Sequence, residues 1–122
     1  MPNTDRDILF TYGAHGVDTT GIIATPGVTT DVLTIDCRAL ISVKTFWIYP
    51  ISGASVTYAI YGTGDHTMTR EEFEAHPVDV IEEIVADTVI TAKECKTVVS
   101  PYMWLKLRVS GTGTFKADFA GS

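Results

Sequence analysis

Cysteine is scarce in this chain. Cys37 and Cys95 are the only two, they lie far apart, and they share no metal-binding spacing such as Cys-x-x-Cys. Two reduced, packed thiols are expected, and a single bridge stays open only if their strands adjoin. A zinc site would need two further ligands, and His15, His66 and His76 are scattered. Long apolar runs are missing too. No stretch approaches the roughly 18 residues of a membrane-spanning helix, so no membrane partner is expected. Met1 to Asp7 is polar, carries acids and has no apolar signal-peptide core, which predicts synthesis in a cytoplasm. Positive charge is also short. Lys and Arg number 9 against 15 Asp and Glu, for a net charge of −6. That balance argues against a sequence-independent grip on nucleic acid.

Catalytic signatures are absent as well. There is no Gly-x-Ser-x-Gly elbow, no Gly-x-x-x-x-Gly-Lys phosphate loop and no His-Glu-x-x-His pair. Gly62-Thr-Gly-Asp has the composition of a phosphate loop but lacks the Lys and follows a strand pattern. The acids Glu71, Glu72, Glu74, Asp79, Glu82 and Glu83 contain enough carboxylates for a glycosidase pair. A solvated acidic edge is the plainer reading, because the spacing matches no calcium loop and no triad partner is nearby. No catalytic, cofactor-binding or metal-ligating residue is predicted. An enzyme using acids between Glu71 and Glu83 stays as a second alternative. The charge is uneven: eight acids and one base, Arg70, lie between Asp65 and Asp87, whereas the C-terminal stretch carries Lys106, Arg108 and Lys116. Complementary patches meeting between subunits are a sharper reading of that asymmetry.

What is present is a β pattern. At 122 residues and 45% hydrophobic content the chain can bury one core of its own. The clearest stretch runs from Pro101 to Phe119. Met103, Leu105, Leu107 and Val109 alternate with Trp104, Lys106, Arg108 and Ser110. After Gly-Thr-Gly, Phe115, Ala117 and Phe119 alternate with Thr114, Lys116 and Asp118. This predicts a hairpin turning at Gly111 to Gly113, with Val109 opposite Phe115 and Leu107 opposite Ala117. That register sets Lys106 against Asp118 and Arg108 against Lys116.

Leu40 to Tyr49 and Val56 to Tyr61 alternate likewise, and the Ser52-Gly53-Ala54 break between them predicts a second hairpin. The first of these segments is apolar on both faces near its end, so its second face is expected to be covered. Ile8 to Tyr12 and Val32 to Ile35 read as strands, with turns at Gly13 to Gly16 and Asp18 to Gly21. Thr69 and Glu72 form a capping box that predicts a short helix near 69–76, stopped before Pro77. Val78 to Val89 fits helix or strand, and its β-branched residues favour strand.

Seven to nine short strands and one short helix predict an all-β fold. The expected architecture is a single-domain antiparallel β-sandwich, jelly-roll-like, over residues 8–122, with a flexible arm at 1–7. Trp47, Tyr49, Tyr61 and Trp104 lie on predicted strands or their ends and are candidates for an interface or for stacking a glycan. Exposure of Trp47 or Trp104 over a groove would support glycan binding; burial of both would end it.

The phrase Tyr102-Met-Trp104-Leu-Lys-Leu-Arg-Val-Ser-Gly-Thr-Gly-Thr resembles small jelly-roll or β-sandwich virion proteins of tailed phages. In those a Tyr-x-Trp-Leu-Arg-Leu strand precedes a Gly/Thr turn and a final strand. Val89-Ile90-Thr91-Ala92, leading into it, is similar in kind. The resemblance covers about the last third, with Lys106 where Arg is usual. It implies a non-enzymatic structural protein: a capsid decoration (cement) protein or a head or tail accessory protein, located in the virion and often trimeric. Its partners would be its own copies and the major capsid protein or another virion protein, with no cofactor. Asn3, Thr4, Asp5 and Arg6 then become a candidate docking arm. A carbohydrate-binding or receptor-binding module of a tail fibre is the alternative.

Overall fold

The computed structural model describes residues 16–24, 29–37 and 43–121. The candidate arm at Asn3, Thr4, Asp5 and Arg6, the expected strand Ile8 to Tyr12, and Leu40 to Ser42 lie outside the described residues. The elements in order are β1 (Gly16–Ala24), β2 (Thr30–Asp36), β3 (Lys44–Pro50), β4 (Ser55–Thr63), α1 (Arg70–Glu74), β5 (Glu82–Ile90), β6 (Glu94–Val98) and β7 (Trp104–Gly121).

The predicted C-terminal hairpin does not form. Trp104 to Gly121 is one strand of 18 residues, and its two halves belong to different sheets. The first half pairs antiparallel with β2 and β4: Leu107 is opposite Leu33 on one side and Ile60 on the other. The second half pairs antiparallel with β1 and β3: Ala117 is opposite Thr19 and Ile48. Lys106 therefore faces Tyr61 and Thr34, not Asp118, and the Arg108–Lys116 repulsion never arises.

The alternation survives because Leu105, Leu107, Val109, Phe115, Ala117 and Phe119 share one parity along a continuous strand. All six are buried. Gly111 and Gly113 hold the same inward parity at the bend, with φ of 120° and 93°. A Cβ on Gly111 would sit 2.2 Å from the Ser55 carbonyl oxygen, and one on Gly113 would sit 2.7 Å from the Ala54 Cα. The glycines are there because another backbone crosses at the corner, not because the chain reverses.

The second predicted hairpin is corrected in the same way. The strands exist, but β3 and β4 do not pair with each other. The Ile51–Ala54 connection, closed by the Ala54 amide donating to the Ile51 carbonyl at 2.8 Å, carries the chain from one sheet to the other. β3 and β4 then line the same side of β7 in succession. β1 and β2 line its other side. The expected turn at Asp18 to Gly21 is instead a register shift within β1, between Thr19 and Ile22.

β6 pairs with β3, and β5 with β4. Counting β7 as two halves, sheet A runs β1, second half of β7, β3, β6. Sheet B runs β2, first half of β7, β4, β5. First pairs with last, second with next to last, and so inward to β4 and β5. That is the nested pairing of a jelly roll, an antiparallel β-sandwich. The inner faces meet over Leu33, Ile35, Phe46, Ile48, Val56, Ile60 and the apolar row of β7. Phe46 and Phe119 lie edge to face with centroids 5.1 Å apart. Each such side chain contributes roughly 1.5–3 kcal/mol by leaving water.

The ambiguous Val78 to Val89 stretch divides: residues 78–80 form a turn and β5 begins at Glu82. The capping box is present, with Thr69 accepting from the Glu72 amide and the Glu72 carboxylate accepting from the Thr69 amide.

Two substitutions separate a bent strand from a loop. Gly111→Ala forces both a clash and a strained backbone, so it is expected to destabilise by at least about 2 kcal/mol in urea unfolding. Gly64→Ala, with open space around it, is expected to change stability by about 0.5 kcal/mol or less. Equal, small effects would mean residue 111 lies in an open turn. Leu107→Ala, at a fully buried position, is expected to cost about 2–5 kcal/mol.

Candidate functional site

The two outer faces of the sandwich are treated differently by the chain. Sheet B is covered by residues 64–81, a strap connecting β4 to β5. Sheet A presents its outer side chains openly along β3.

The strap contains α1, whose five residues are too few for a helix stable alone. It is held from below by β7. Trp104, which points away from the core, is only 2% exposed because Met68 and Phe73 lie over it. Its indole Nε1–H donates to the Met68 carbonyl at 3.0 Å, and its ring stacks on Phe73 with centroids 5.8 Å apart. Lys106, two residues on, is fully buried. Its ammonium donates to the Phe73 carbonyl at 3.0 Å, approaches Asp31 Oδ2 at 3.3 Å and sits 4.7 Å from the Phe73 ring centroid. A cation at the C-terminal end of a short helix is favoured by the partial negative charge of the carbonyls there. Burial pulls the Lys106 ammonium below the usual lysine range, and Asp31 opposes that shift.

Arg108 completes the cluster. Its Nε–H donates to Asp31 Oδ1, and its guanidinium lies 5.8 Å from the Tyr61 ring centroid. Tyr61 donates its hydroxyl to Glu83 Oε2 at 3.1 Å and receives the His76 ring edge-on at 4.8 Å. His76 ends the helical turn with φ of 58°, the left-handed conformation usual for Gly or Asn after a helix. Its amide donates to the Phe73 carbonyl at 3.0 Å, but its Nδ1 is buried without a partner among the described residues. Burial, then Arg108 and Lys106, hold the imidazole below its usual pKa.

On sheet A, odd-numbered residues of β3 face outward. Trp47 is 37% exposed and Tyr49 is partly exposed. Their rings lie within 7° of parallel, with centroids 6.2 Å apart. That separation is set by the two-residue repeat of a strand. Lys116, opposite Tyr49 on β7, brings its ammonium to 5.6 Å from the Tyr49 ring centroid and pairs with Asp118 Oδ2 at 3.6 Å. On the other side the Thr45 and Thr97 hydroxyls meet at 3.0 Å. The expectation that the second face of this strand is covered is not met at Trp47.

The structure thus divides the four aromatic candidates. Trp47 and Tyr49 form one open row. Tyr61 belongs to the strap cluster on the opposite sheet. Trp104 is withdrawn from the surface, because Met68 and Phe73 of the strap fold over it. The thiols divide as well. Cys37 is buried and its thiol is pushed up to about 12 by desolvation, whereas Cys95 is exposed rather than packed; both are free. Among the described residues no group of three or more His, Cys, Asp or Glu side chains is placed to hold a metal, and no helix is long and apolar enough to cross a membrane. Sequence reading missed the His76–Arg108–Lys106–Asp31 cluster. The one available signal was a His immediately before Pro77 and just past a capped helix.

The His76 environment has a pH consequence. A histidine whose folded pKa is lowered takes up its proton more readily in the unfolded chain, so its contribution is intact above the unfolded value of 6.5 and is lost as pH falls below it. Urea stability of the native protein is expected to fall from pH about 7.5 to about 5 more steeply than that of His76→Asn, since Asn also accepts the left-handed backbone. Parallel pH profiles would show that the imidazole is not held neutral by the strap.

No protein-family model and no curated protein matches the chain. Solved structures do. The chain is similar to the Yersinia pseudotuberculosis-derived mitogen, with a TM-score of 0.57 and 8% identity over 89% of this chain and 87% of that one. It is also similar to a segment of the IMPa metallopeptidase in complex with T-antigen, with a TM-score of 0.52 and 16% identity over 89% of this chain but 12% of that one; the same metallopeptidase is described from Pseudomonas aeruginosa. A particle of infectious bursal disease virus matches 88% of this chain at 14% identity with a TM-score of only 0.36, which carries no argument. The likenesses to the mitogen and to the metallopeptidase segment show a shared fold and nothing more.

Proposed function

We propose that this chain is a non-enzymatic structural protein of a phage virion, a capsid decoration protein that works through contacts with its own copies and with the major capsid protein. The phage assignment comes from the resemblance of the Tyr102 to Thr114 phrase. The structural assignment is supported by one observation. Convergent charged side chains on sheet B are committed to architecture: Lys106 and Arg108 both bond Asp31, and Lys106 also bonds the Phe73 carbonyl. Lys106 ties the strap to β7, and Arg108 is tied to Asp31 on β2.

The fold suits the task. An acidic edge strand, β5, with Glu82, Glu83 and Asp87, discourages indiscriminate edge pairing. The arm at Asn3, Thr4, Asp5 and Arg6 would then order against a neighbour on docking.

Light scattering on an eluting size-exclusion peak is expected to give three times the 13.3 kDa chain mass. Deleting residues 1–7 is expected to leave the melting transition in place while weakening saturation of empty capsids. A monomer at every concentration, together with unchanged capsid affinity of the truncated chain, would contradict the reading.

A further inference from the structure

The open row on β3 has a chemistry that assembly alone does not explain. At the centre of a protein–protein interface aromatic residues are enriched but Lys and Asp are depleted. Around Trp47 and Tyr49 the pattern is different. Two nearly parallel rings 6.2 Å apart are bordered on one side by the Lys116–Asp118 ion pair and on the other by the Thr45–Thr97 hydroxyl pair. Apolar faces and hydrogen-bonding rims alternate within a single side-chain width.

That alternation is the complement of a carbohydrate. A sugar ring has an apolar C–H face that packs on an aromatic ring, and an equatorial rim of hydroxyls that must keep hydrogen bonds when water leaves. We propose that the outer face of sheet A is a carbohydrate-binding platform. An oligosaccharide would lie over this row, its apolar C–H face packing on the exposed part of the stacked Trp47–Tyr49 pair. Thr45 and Thr97 supply hydroxyls that donate and accept, Lys116 donates, and Asp118 accepts.

The platform is preorganised. Both rings stand on one rigid strand whose inward residues, Phe46 and Ile48, are fully buried. The Lys116 ammonium near the Tyr49 ring adds a cation–π contact that limits its motion. Rings fixed before binding lose little rotamer freedom on contact, which raises affinity for a weakly held ligand. This face lies on the opposite sheet from the strap, so it is compatible with the structural role proposed above and does not depend on it.

The test begins with the whole chain on an array of immobilised bacterial and eukaryotic glycans. The best-binding oligosaccharide is then titrated in solution by tryptophan fluorescence and by saturation-transfer NMR. Binding is expected on the array, with saturation transfer to the sugar C–H protons and a fluorescence change on titration. Trp47→Ala and Tyr49→Ala are each expected to weaken binding about tenfold or more, and Trp47→Phe to keep part of it. Circular dichroism should be unchanged and the melting transition retained, because neither ring belongs to the buried core. No glycan bound above blank would overturn the proposal. So would equal affinity of wild type and Trp47→Ala, or a self-association abolished by Trp47→Ala without glycan binding, which would make the row a subunit interface.

Discussion

Everything in this molecule depends on β7 staying extended through its bend. Eighteen residues run from sheet B into sheet A without reversing, and β1, β2, β3 and β4 all pair directly with them. Their inner side chains supply core to both sheets. Their outer side chains hold the strap in the first half and border the aromatic row in the second. Gly111 and Gly113 make this possible by removing the two side chains that would strike the backbone at Ala54 and Ser55.

The same corner explains what could be read from the sequence and what could not. Period-2 alternation identified which residues of β7 face inward, and all six are buried. It did not distinguish a hairpin from a bent strand, because Val109 and Phe115 are an even number of residues apart. Both arrangements then place the same residues in the core. The choice between them depends on how closely Ser55 and Ala54 approach, and those residues lie on a distant segment. The β3–β4 connection misled for the same reason: turn residues between two alternating strands do not say whether the strands pair or part into two sheets. The capping box was legible because its partners, Thr69 and Glu72, are three residues apart.

The candidate surfaces show a parallel contrast. Trp47 and Tyr49 share a strand face by parity, so their association was local and predictable. Trp104, Lys106 and Arg108 share outward parity too, and looked equally solvent-facing. Trp104 and Lys106 are nevertheless buried, because the strap brings Met68 and Phe73 across sheet B. Of two outer faces with similar patterns, one is covered by the strap, whereas the other keeps Trp47 exposed among the described residues. That asymmetry separates a face that stabilises the fold from a face that can meet another molecule.

The most direct measurement is the set of interstrand backbone contacts seen by NMR on the isotopically labelled protein. The account predicts cross-strand contacts joining Tyr58 to Val109 and Ile48 to Ala117, on opposite sides of the Gly111 to Gly113 bend. It predicts none between the backbones of Val109 and Phe115. Contacts pairing Val109 with Phe115 and Leu107 with Ala117 would mean that the chain turns back at the glycines, and the jelly roll described here would be wrong.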